Sequence, residues 1–177
     1  IGGMDRFFVA YDRALKGQGH TVHWYFSKYD PFPFFDDLDI RSAQGESVEN
    51  VFLNTTTERY TTVITHFIAL CTPFYKAIKT QHNARIIAVD HNPRPINGFP
   101  LKKRVKNRIK GLLYGKYIDL FVGVSQYSKR ETIKDFGPFI KHKVIVAENG
   151  LLAELFKEKT SFKSNHKFIM TSHLRQD

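Results

Sequence analysis

Hydrophobic residues recur along this chain in two alternating rhythms. Met4, Phe7, Phe8, Tyr11 and Leu15 keep the one-face spacing of a 3.6-residue helix, and Gly17 and Gly19 stop it. After His20 the run Thr21-Val22-His23-Trp24-Tyr25-Phe26 reads as a strand. The same reasoning predicts strands near 21–27, 61–67, 85–90, 119–125 and 143–148. Helices are predicted over 4–17, 72–82, 101–116 and 126–136, the last ended by Gly137-Pro138. Strands alternating with helices imply an α/β fold, a parallel sheet with helices on both faces. Residues 30–60 carry no clean period, because Pro31, Pro33, the acidic Asp36-Asp37-Leu38-Asp39 and the Thr55-Thr56-Thr57 run interrupt it. Short strands are expected there near 38–43 and 48–53. Residues 151–166, rich in Lys, Glu, Ser and Asn, read as a linker, and 167–172 as a fresh strand.

Composition narrows the class without naming a function. With 177 residues, 42% of them hydrophobic and 25% charged, the chain can bury one sizeable core, and its composition argues against wholesale disorder. No run of about 18 apolar residues occurs, so no membrane-spanning helix is expected. Cys71 is alone, which removes an internal disulfide framework, fits a reducing, cytoplasmic compartment and predicts a small buried apolar residue. The net charge of +10 changes the picture more, since it points to acidic partners. Lys102, Lys103, Arg104, Lys106, Arg108, Lys110 and Lys116 stand between Leu101 and Lys116 with no acidic residue, a local charge of +7. Leu101, Val105, Ile109, Leu112 and Leu113 lie on one face of the same helix. Such a helix either rests on an anionic membrane or lipid phosphate, or docks on its own sheet with its charges solvated.

Candidate chemistry sits at the strand ends, where open parallel sheets bind ligands. The predicted strands end at Ser27, His66, His91, Ser125 and Glu148-Asn149-Gly150. A polar loop residue has a bland explanation when taken singly; a row of them along one rim points to a ligand cleft. At the chain's start, Gly2 and Gly3 lead into a helix, and a helix N-terminus with glycines offers unpaired N–H groups and positive dipole to a phosphate. His20-x-x-His23 lacks a ligand set, so no metal site is expected.

The glycine pair, amphipathic helix, Gly-His turn and aromatic strand together resemble the start of family 4 glycosyltransferases with the GT-B fold. Val63-Ile64-Thr65-His66, the run from Ile86 to Asp90-His91, the run from Ile118 to Val124-Ser125, and the run from Val144 to Glu148-Asn149-Gly150 follow in that family's order and spacing. The resemblance covers nearly the whole chain and is weakest over 30–60. It implies a Rossmann-like fold forming the N-terminal, acceptor-side half of a GT-B enzyme. Residues 1–150 would be that domain, 151–166 the interdomain linker and 167–177 the first strand of a donor-binding domain. In the family a strand precedes the glycines, so this chain is expected to begin one strand late, leaving the central sheet position empty.

The resemblance also implies an activity, transfer of a sugar from a nucleotide-diphosphate sugar, with retention, to a polysaccharide or lipid-linked glycan acceptor of cell-envelope type. It implies no cofactor other than that donor substrate; the lone cysteine and the basic helix, read for themselves, fit a cytoplasmic site, peripheral at the inner membrane face if that helix meets lipid. His91 matches the family's active-site histidine, while Gly2 and Gly3 would bind donor phosphate. His66, Ser125 and Asn149 would border the cleft, with Asn149 and Gly150 shaping the hinge. The family's Gly-Arg falls on Ser172-His173, which leaves His173 or Arg175 to meet the phosphate. Independently of the resemblance, Lys102, Lys103, Arg104, Lys106, Arg108 and Lys110 would contact membrane or lipid phosphate if the basic helix is not simply a solvated face.

Other classes fit less well. A nicotinamide-binding domain wants Gly-x-Gly-x-x-Gly and an acidic residue at the next strand end, where this chain has Gly2-Gly3 and Ser27. A non-catalytic basic domain for nucleic acid or anionic lipid would explain the charge. For nucleic acid, though, the basic residues concentrate on one helix without an aromatic platform. A periplasmic-type binding domain does not account for one basic helix.

Overall fold

A computed structural model describes residues 3–95, 98–148 and 150. The linker and terminal strand expected at 151–177 lie outside the described residues, as do Gly2, Asn149, His173 and Arg175. Four parallel strands form the main sheet in the order β3 (Thr62–His66), β4 (Arg85–Asp90), β5 (Leu120–Gly123), β6 (Val144–Val146). A second parallel pair joins β1 (Trp24–Phe26) to β2 (Ile40–Ser42). The helices are α1 (Gly3–Gly17), α2 (Val48–Thr55), α3 (Pro73–His82), α4 (Leu101–Tyr114) and α5 (Gln126–Phe136). The α/β, parallel-sheet expectation therefore holds, as does the strand near 38–43.

One element differs from expectation. Residues 48–53 belong to helix α2, not to a strand. Ser47 caps it by accepting the Asn50 amide, and its hydroxyl donates to Glu49 Oε2 at 2.8 Å. Both bonds favour a helix start, and α2 buries Phe52 against Tyr25, Tyr60, Phe74 and His82.

Strand parity decides which side chains meet which helices. On one face, Ile86, Ala88 and Phe121 are buried in the core that also holds Tyr75 and Ile78 of α3 and Phe136 of α5. On this face Thr65 shares a hydrogen bond with Tyr75. The opposite face of β3 meets α1, where the rings of Phe7 and Phe8 lie 5.9 and 5.7 Å from His66. Phe8 also packs on Trp24 and Phe26 of β1. Asp12 is buried and ties α1 to β1 by accepting Trp24 Nε1–H at 2.8 Å. Cys71 is buried as expected, and its surroundings push the thiol up to about 12.

The two sheets do not join. Among the described residues, β1 pairs with β2 and β3 with β4, and no strand lies between β1 and β3. A cavity of about 620 Å³ separates them, lined by Phe8, Tyr11 and Leu15 of α1, residues 20–27 and 60–68. The pairing of 21–27 with 61–67 is absent, in line with an empty central position in the sheet.

Helix α4 lies on α5 through Asn107 and Gly111, its two buried residues. A Cβ at position 111 would sit 2.0 Å from the Phe136 carbonyl oxygen, so the helices approach too closely for any side chain. Gly111→Ala is expected to destabilise the protein by about 2 kcal/mol, because overpacking against backbone outweighs alanine's better helix propensity. Urea denaturation measures this. A neutral or stabilising change would show that α4 and α5 do not touch there.

Candidate functional site

Parallel strands end on one edge, and parity sorts their terminal residues between two faces. His66 ends β3 opposite Val89 of β4. His91 lies two residues beyond Val89, so both histidines point to the α1 face. His66 Nδ1 and His91 Nε2 lie 2.9 Å apart, sharing one hydrogen bond, with ring centroids at 5.2 Å. The first turns of α1 reach the same place through Phe7 and Phe8, so the helix N-terminus and the histidine pair share a rim. Gly3 begins this helix, and its neighbour Gly2 lies outside the described residues.

Electrostatics keep the pair neutral at pH 7. Burial, then the neighbouring His91, lowers the His66 pKa to about 4. Burial also lowers that of His91, against a smaller opposing effect of Asp90. A neutral pair shares its hydrogen bond in one direction at a time. With His66 donating from Nδ1, His91 carries its proton on Nδ1, a nitrogen with no hydrogen bond among the described residues. His91 is then a neutral donor rather than a charge.

The sign of a pH effect follows from His66. Its folded pKa lies below the unfolded value of 6.5, so the unfolded chain binds more protons between the two. The stability involved is full above about pH 6.5 and lost as pH falls toward about 4. His66→Asn retains a polar atom near the Nδ1 position without titrating. We expect it to flatten the acid limb of a stability-versus-pH curve measured by chemical denaturation. An unchanged limb would assign the acid lability to other groups.

Two neighbours of the pair escaped the sequence reading. Phe67 follows β3 with a φ of 60° and is 55% exposed, and its ring stacks on His91 at 4.4 Å. A large side chain in the left-handed region is strained, which is common where a site holds a residue in place. The other is Arg94, on the loop after β4. Its guanidinium meets Asp90 Oδ2 at 2.7 Å and Asp135 Oδ2 of α5 at 2.8 Å, and all three side chains are nearly fully buried. Burial opposes the Arg94 charge, but its bonds to the two carboxylates outweigh burial and raise its pKa. Asp90 also accepts from Thr132 Oγ1 at 2.7 Å and from the Asn92 amide at 3.1 Å. Consecutive residues thus face opposite ways, with Asp90 anchoring the loop to α5 and His91 facing the rim.

The remaining expected residues divide. Ser125 caps α5, accepting the Ser128 amide at 3.1 Å, and its hydroxyl lies 3.1 Å from that of Ser128. Ser27 accepts the Gly45 amide through its carbonyl. Glu148 and Gly150 are exposed beyond β6. Lys102, Lys103, Arg104, Lys106, Arg108 and Lys110 all belong to α4, away from the histidine pair along the chain but joined to it by the loop that Arg94 anchors.

A parallel α/β domain with polar groups at its strand ends is an architecture built to bind a ligand on that rim. The family model described as Glycosyltransferase Family 4 matches residues 1–154, and the chain belongs to that family. Comparison with curated proteins and with solved structures returns no match.

Proposed function

We propose that this chain is the acceptor-side part of an enzyme that moves a sugar, with retention, from a nucleotide-diphosphate sugar to a polysaccharide or lipid-linked glycan acceptor. The observation that carries this reading is the His66–His91 pair at the rim, beside the start of α1. Departure of the nucleoside diphosphate builds negative charge, and preorganised donors aimed at it lower the barrier. In this reading His91 orients the transferred sugar or stabilises that charge, while His66 fixes the direction of its hydrogen bond. Gly2 and Gly3 would approach donor phosphate where the chain enters α1. Residues 151–166 would serve as the linker to a donor-binding domain that begins at 167–177. There His173 or Arg175 would face phosphate, with Asn149 and Gly150 at the hinge.

The reading has a direct test. Because most donor contacts would belong to the second domain, the 177-residue chain by itself is expected to transfer no sugar from any nucleotide sugar. The protein extended by that domain is expected to turn over one member of a nucleotide-sugar panel. Turnover by the 177-residue chain would overturn the division of labour. Absence of transfer and donor hydrolysis by the extended protein would overturn the enzymatic reading.

A further inference from the structure

Helix α4 carries its apolar stripe on the outside. Leu101, Val105, Ile109, Leu112 and Leu113 are 74%, 51%, 52%, 64% and 55% exposed. At about 100° per residue these five cover an arc of about 120°, centred opposite the buried Asn107 and Gly111. A globular surface helix turns its apolar side inward, whereas the inward side of α4 holds Asn107, Gly111 and, in its last turn, Tyr114, which packs against the core. The charges are arranged around this stripe. Arg104 and Arg108 border it on one side and Lys106 and Lys110 on the other, Lys102 falls within the arc between Ile109 and Leu113, and the helix holds no acidic residue. An outward apolar stripe between two basic borders is the pattern of a helix that lies in a membrane interface, its stripe among acyl chains and its cations at lipid phosphates. Among the described residues no helix is long and apolar enough to cross a membrane, so spanning does not explain the stripe.

We propose that α4 is a monotopic docking helix that inserts Leu101, Val105, Ile109, Leu112 and Leu113 into an anionic bilayer surface. Charge complementarity selects this occupant over a second copy of the chain, whose own α4 would bring like charge to the contact. It also selects it over nucleic acid, which would leave the exposed stripe unaccounted for. Topology adds a consequence. α4 starts from the edge of the sheet where β4 ends, so docking would hold the His91 rim near the headgroups. That consequence rests on the sugar-transfer reading, whereas the docking does not.

The chain supplies its own reporter chemistry. Cys71 is fully buried and its thiol is pushed up to about 12, so an environment-sensitive fluorophore will label Leu112→Cys selectively. The labelled full chain is mixed with vesicles of phosphatidylglycerol and phosphatidylcholine, or of phosphatidylcholine alone, at low and high salt. We expect a blue shift and co-sedimentation with the acidic vesicles that weaken with salt. Replacing Lys102, Lys106 and Arg108 together by Gln should weaken binding on the order of a hundredfold. Replacing Ile109 and Leu113 by Ser should weaken it at least about tenfold at unchanged charge. Three results would overturn the proposal. These are no binding to acidic vesicles at low salt, binding with the label still in water, and a label already shielded without lipid because another segment or partner covers the stripe. Sugar transfer is not assayed, so the docking and the enzymatic reading fail separately.

Discussion

His91→Ala is expected to lower kcat by about 10²-fold or more in the protein that carries the donor-binding domain, with folding largely unchanged. The magnitude is that of a lost transition-state donor in a preorganised site. The geometry explains why little else should move. His91 is only partly buried at the strand end, and among the described residues its side chain hydrogen-bonds to His66. A substitution that removes an interaction made only in the transition state lowers kcat and kcat/KM together and leaves KM for the donor near its starting value. Steady-state kinetics on a nucleotide sugar separate the two. A kcat within threefold or so of wild type would return His91 to a packing role beneath Phe67 and remove the main support for the proposed chemistry.

Much of this site was legible before any coordinates, for a definite reason. Side-chain parity is local and parallel direction follows from the alternating order of strands and helices, so a strand ending at His66 and one passing Asp90-His91 could be read to share a rim. The alternation of Ile86, Ala88 and Asp90 against Ile87, Val89 and His91 also follows from period two. What could not be read depends on partners distant in sequence. Arg94 finds Asp135 forty-one residues away, and nothing local distinguishes a buried arginine from a solvated loop residue. The α4 stripe was visible as periodicity, but periodicity says that a helix has an apolar face and not that anything covers it. Residues 48–53 read as a strand because Val51, Phe52 and Leu53 form a short apolar run, which is ambiguous between strand and helix. The Ser47 cap and the Asn50 amide decided it. Phe67 could not be anticipated, because a positive φ at a phenylalanine has no compositional signature.

Arg94 carries the largest expected stability effect. Arg94→Met should cost about 3–5 kcal/mol, since it removes the guanidinium that lies between two carboxylates that burial separates from water. Asp90 and Asp135 would then face each other with side chains only 3% and 5% exposed. The guanidinium is held by Asp90 through both terminal nitrogens and by Asp135 through Nε, so lysine cannot reproduce the planar fork. Arg94→Lys should therefore recover only part of the loss. The triple replacement Asp90→Asn, Arg94→Met, Asp135→Asn should be less damaging than Arg94→Met by itself, because it leaves no unpaired buried charge. Urea denaturation at pH 7 ranks the variants. Equal losses for the single and triple replacements would show that packing, not charge, sets the cost. A loss for Arg94→Met under about 1 kcal/mol would place the cluster in solvent contact, where ion pairs contribute little. The cluster also joins the loop after β4 to α5, so Arg94→Met should lower kcat through misplacement of His91. Arg94→Lys, which keeps the charge, should restore part of that kcat in step with stability.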